Sequence, residues 1–118
     1  MSGAEGPGGP IPAEIPISTA LELPGRPAAE TLGVVFGLVV RSMGMVKGFT
    51  AGFSALRQGE VTQYTEVLED SRRHAVDRMV ANARLLNADA IVSMRFDSSE
   101  MGQNLTEIVA YGTAVRLG

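Results

Sequence analysis

Few side chains in this sequence can do chemistry, and the main group of them falls on one short stretch. His74, the only histidine, has Asp70 four residues before it and Asp77 three residues after it. On a helix these spacings bring the three to one side. An imidazole with two carboxylates could hold a divalent ion such as zinc or manganese if water or a neighbouring copy completed the shell. Arg72, Arg73 and Arg78 lie on the same stretch and compete for the carboxylates, which favours an exposed face of ion pairs over a metal site. Met43 and Met45 put two thioethers close together and could hold copper(I) or silver(I), although methionines in such a segment serve more readily as adaptable packing fillers. No metal ligand and no cofactor is therefore assigned. His74, Asp70, Asp77, Met43 and Met45 stand as the weak candidates.

Catalytic patterns are equally sparse. There is no cysteine, which removes disulfides, zinc-thiolate sites, iron–sulfur clusters and a thiol nucleophile together. With one histidine and no strand–turn–helix GxSxG elbow, no nucleophile triad can be assembled. Asp97 and Glu100 flank an expected hairpin turn and could form an acid–base pair across a subunit boundary, but carboxylates beside a turn more commonly solvate it. Gly33 and Gly37 sit inside a strand pattern rather than in a phosphate-binding loop, and close backbone packing is the better use for them. An enzyme is not expected.

The elements that must position these residues are legible from hydropathy. At 118 residues, 45% hydrophobic and 19% charged, the chain has the size and composition of one domain with one core. Residues 1–16 hold four of the six prolines and four of the fourteen glycines and read as a flexible tail that adds little to stability. The alternative is that Ile11, Ile15 and Ile17 tack this tail onto a neighbouring surface. A single domain is expected over residues 17–118. It begins with a short extended piece ended by the Pro24-Gly25 turn signal.

Residues 31–42 form a valine-rich strand whose even positions, Leu32 to Val40, make one apolar face, while its odd positions are small and also apolar. A short amphipathic helix is expected around Phe49, Phe53 and Leu56, ended by Gly59. Residues 61–87 give the clearest pattern, a long one-faced helix with Thr62 as N-cap, Ser71, Ala75, Met79 and Ala83 on its stripe, and Asn87 as a left-handed C-cap. Two strands then close the chain as a hairpin, with Ala90, Val92, Met94 and Phe96 assigned to one face of the first. The order β-α-β-β with a right-handed crossover makes an α+β unit. Its simplest sheet is fully antiparallel, in the order 1-3-2, under one long helix.

These segments are familiar. GVVFG in the first strand, ARLLNADAIVSMRFD at the end of the helix and GQNLTEIVAYGTAV at the close resemble the YbjQ-like family, a bacterial family carrying a heavy-metal-binding label. The resemblance runs from about Ile17 to Leu117. It departs before the long helix, where Glu60 stands in place of the arginine of the family's Gly-Gly-Arg run. The family implies a dodecin-like subunit assembled into a pentameric ring, and supplies no catalytic residues.

The residues themselves point to association as well. One helix can cover one side of a three-stranded sheet, yet both sides are apolar, and large bare apolar patches are uncommon on monomers. A second copy of the chain is the expected partner, with Gly33, Val35, Gly37, Val109, Tyr111 and Gly112 as oligomer or packing positions. A net charge of −3 with no basic stripe argues against nucleic acid. The longest apolar run, broken by Gly33, Gly37, Arg41 and Gly44, is too short for a membrane, and no secretory signal opens the chain. A cytoplasmic homo-oligomeric structural or interaction module is the leading reading. Metal binding is the alternative, and an enzyme with a site at subunit boundaries the third.

Overall fold

Valine and other β-branched residues spaced by glycine favour a pleated strand, and β1 runs over Ala28–Ser42. The computed structural model describes residues 15–42, 57–102 and 104–118. After β1 come helix α1 (Arg57–Leu85) and strands β2 (Ala90–Glu100) and β3 (Leu105–Leu117). The sheet has the order β1-β3-β2 with both pairings antiparallel, as the hydropathy pattern predicts. The short helix expected around Phe49 lies outside the described residues, as do Met43 and Met45.

The β1–β3 register fixes which residues share a face. Val35 opposes Gly112, Gly37 opposes Ala110 and Val39 opposes Ile108, and this is the face that α1 covers with Ala75, Met79 and Ala83. The small odd positions of β1 are thus the buried ones. A Cβ built on Gly37 would stand 2.1 Å from the Ala75 carbonyl oxygen and 2.4 Å from the Met79 nitrogen, so the helix backbone rests directly on the strand. Val35 and Gly37, expected as oligomer or packing positions, pack inside the subunit. Gly112 does too, since a Cβ there would meet Ile91 at 2.7 Å. Gly33 serves neither purpose: it has φ +132° with open space around it and sits at a register shift of β1.

Both ends of α1 are informative. The helix starts at Arg57 and runs through Gly59, so neither the break at Gly59 nor the N-cap role of Thr62 holds. The C-terminal end follows the pattern instead. Asn87 has φ 60°, the Asn87 N–H donates to the Arg84 carbonyl and the Ala88 N–H to the Ala83 carbonyl, which together make a Schellman turn. Ala83 and Ala88 add its apolar contact. The turn hands the chain to β2, where a second left-handed residue, Ser93 (φ 56°), makes a bulge between Val92 and Arg95. A bulge of one residue reverses the alternation beyond it. Ala90 and Val92 therefore face away from the helix with Val115, while Met94 joins the core under it, so the single face assigned to this strand is in fact two.

The folded part begins earlier than expected. Ile15 is buried in the main core, and the residues after it line the outer edge of β2. Ile91 N–H donates to Pro16 O, Ser18 N–H to Ile91 O, Met94 N–H to Ser18 O and Ser93 N–H to Ala20 O. Ile15 and Pro16 thus belong to the fold rather than to a tail. The Leu23–Arg26 turn, with Pro24 second and Gly25 at φ 70° third, has the form of a type II turn.

Two outcomes follow. Gly37→Ala should cost about 3 kcal/mol or more in urea denaturation, because neither backbone atom it meets can move without shifting the helix; a loss below about 1 kcal/mol would show that α1 is not seated on the strand. A chain shortened to begin at Leu21 should melt more than about 5 °C lower, having lost Ile15 and the bonds along β2. An unchanged melting temperature would show that the strap is idle.

Candidate functional site

Arg41 occupies the helix-covered face of β1 because it shares the odd parity of Val35, Gly37 and Val39, and it opposes Thr106 on β3. Above it pass Asp70 and His74, one turn apart on the flank of α1. Arg41 Nη2 donates to Asp70 Oδ2 at 2.8 Å and faces His74 Nδ1 at 3.1 Å. A guanidinium can only donate, so Nδ1 accepts and the ring proton sits on Nε2, which lies 3.8 Å from Asp70 Oδ1. All three side chains remain substantially solvated. Further along the same flank, Asn82 Nδ2 donates to the Phe36 carbonyl at 2.7 Å, so the helix also engages the strand's backbone.

The sequence places His74 beside Asp70, and the structure keeps them together, but it adds an arginine from another element. Asp77 stands apart from this cluster, with its Oδ1 shut from solvent and without a hydrogen-bond partner. Arg72, expected to compete for the carboxylates, lies with its guanidinium carbon 5.0 Å from the Phe96 ring centroid. The signal that could have found Arg41 is its parity with Gly37. A polar residue on the glycine-marked side of the strand must meet whatever lies against that glycine.

Asp97 and Glu100 do not converge within the subunit. Asp97 opposes Val109 and Glu100 opposes Thr106, positions on opposite faces of β3, and Asp97 Oδ1 accepts the Ser98 N–H at 2.9 Å. Among the described residues no three His, Asp or Glu side chains gather as metal ligands, and no helix is long and apolar enough to cross a membrane.

The other candidate is a surface. On the face away from α1, Val34 is 69% exposed, Phe36 55%, Val40 47%, Leu38 39% and Tyr111 38%. Phe36 opposes Tyr111 and Leu38 opposes Val109, so these side chains form one continuous patch across β1 and β3. Val109 and Tyr111, two of the expected contact positions, lie in it. Among the described residues, cover on this face is confined to its far end, where Leu23 and Leu117 pack on Ala90, Val92 and Val115.

A family model described as "Putative heavy-metal-binding" (YbjQ_1) matches residues 15–118. A UPF0145 protein of Sulfurisphaera tokodaii is 48% identical over 102 residues, covering 86% of this chain and 90% of the relative. Another, from a Bradyrhizobium species, is 49% identical over 98 residues, covering 83% and 88%. Such relatives occur in archaea as well as bacteria, which corrects the expectation of a bacterial family. A solved structure of a protein of unknown function from Pediococcus pentosaceus aligns with a TM-score of 0.49 at 11% identity, covering 88% of this chain and 98% of that one.

The solvation of the Arg41–Asp70–His74 cluster sets its energetic weight. In a double-mutant cycle, Arg41→Ala and Asp70→Ala should show a coupling of at most about 1 kcal/mol by chemical denaturation. A coupling of about 3 kcal/mol would mean that the pair is shielded from water in solution.

Proposed function

The chain belongs to the YbjQ-like family, and from that premise we propose that it works as a homo-oligomeric interaction or binding module without catalytic chemistry of its own. The observation that carries this reading is the bare patch of Val34, Phe36, Leu38, Val40 and Tyr111. A contiguous apolar surface on a chain this small is costly in water, at about 25 cal/mol per Å². A second copy is the occupant we assign to it.

The sheet edges bear on the same reading. β2 is lined by residues 16–20, whereas the outer edge of β1 has no strand beside it among the described residues and is open to a neighbouring copy as well. A cyclic assembly of odd number needs heterologous contacts, one patch meeting a different patch on the next copy, and a bare face opposite a helix-covered one provides two unlike surfaces. The dodecin-like arrangement and the ring of five remain what the family resemblance implies. We place the assembly in the cytosol, with no nucleic acid or membrane among its partners.

Charge placed on the two faces should separate assembly from folding. Native mass spectrometry at micromolar concentration should find wild-type oligomers. Phe36→Glu, on the bare face, should give a smaller species that keeps its circular dichroism. Val35→Glu, one residue away but beneath α1, should instead unfold the chain, because a buried unpaired charge costs several kcal/mol. A wild-type chain that stays a folded monomer would overturn the reading.

A further inference from the structure

We infer that Arg41 is a built-in cation that closes the Asp70–His74 pair to metal ions, its guanidinium holding the place that a divalent ion would take. The pair has the right spacing for chelation, since side chains four residues apart on a helix converge and paired ligands at that spacing are a common zinc-binding arrangement. Both side chains are half-exposed, so nothing in their burial keeps an ion out. One nitrogen of Arg41 occupies one donor atom of each, 2.8 Å from Asp70 Oδ2 and 3.1 Å from His74 Nδ1, while His74 Nε2 and Asp70 Oδ1 lie 3.8 Å apart.

The arrangement works by charge and by lone pairs. An ion bound at Asp70 Oδ2 and His74 Nδ1 would need both atoms at about 2.0–2.2 Å, each already accepting from the guanidinium. One bound at Oδ1 and Nε2 would force the ring proton onto Nδ1, where it would face the guanidinium N–H. The guanidinium would have to leave, and Arg41 stands on a strand whose preceding residues Val35, Gly37 and Val39 are held under the helix. The heavy-metal description of the family therefore does not fit this pair of side chains, although their sequence spacing invites it. This inference is independent of how the subunits associate.

The single histidine makes a clean reporter, because its imidazole NMR resonances belong to one site. Zinc chloride titrated into the wild-type chain should leave them unmoved. In Arg41→Ala and Arg41→Gln, checked for native circular dichroism, zinc should shift them saturably and bind about tenfold or more tightly than in wild type, as expected when a positive charge within about 4 Å of the ion is removed. Adding Asp70→Asn should abolish the gain, and Arg41→Lys, which keeps the charge, should gain little. Zinc binding through His74 in the wild-type chain at the variants' affinity would overturn the inference. So would folded Arg41→Ala and Arg41→Gln chains whose His74 resonances ignore zinc.

Discussion

The structure depends on how closely α1 lies on β1. At Gly37 the helix backbone takes up the space that any side chain would fill, and that contact decides which side of the sheet becomes the core. Beyond the register shift at Gly33, the residues Val35, Gly37 and Val39 then face the helix, and Val34, Phe36, Leu38 and Val40 face away. The stripe of Ala75, Met79 and Ala83 is matched to this approach, since two alanines admit what larger side chains would hold off. Burial alone would have favoured hiding Phe36 and Leu38. Backbone proximity decided otherwise, and the larger apolar side chains were left outside.

That choice shapes the surfaces available for association. A sheet covered on one face by its own helix and lined along β2 by residues 16–20 leaves, among the described residues, its second face and the outer edge of β1 open. The charged groups follow the same logic. Arg41 lies on the glycine-marked side, so it meets the flank of α1, and its guanidinium falls between Asp70 and His74. A cluster that looks like a chelating pair along the helix becomes a three-membered polar contact between helix and strand. Its solvation keeps it a modest contributor to stability, so its consequence lies in which ions can approach it.

The two left-handed residues, Asn87 and Ser93, do different work on either side of one short stretch. Asn87 ends the helix and aims the chain into the sheet, and the Arg116 side chain and the Asp89 carboxylate tie that turn to β3. Ser93 then shifts the alternation of β2, sending Ala90 and Val92 to one side and Met94 to the other. The strand thereby contributes to both apolar clusters.

Local pattern was enough for the order of elements, the antiparallel 1-3-2 sheet, the helix stripe and the cap at Asn87, because each rests on periodicity or on one residue's backbone preference. It also showed that both faces of the sheet are apolar. It did not determine which face the helix takes, because both parities of β1 are apolar and only the contact at Gly37 separates them. The bulge at Ser93 was equally hidden, since a serine carries no strong sign of a left-handed conformation. The start of the folded region escaped because Ile15 and Pro16 look like the tail that precedes them, and only the open edge of β2 gives them a place. The metal question turned on Arg41, which is 29 residues from Asp70 in the chain. Sequence spacing sees neighbours along one helix, whereas a cation arriving from a strand is set by tertiary packing alone.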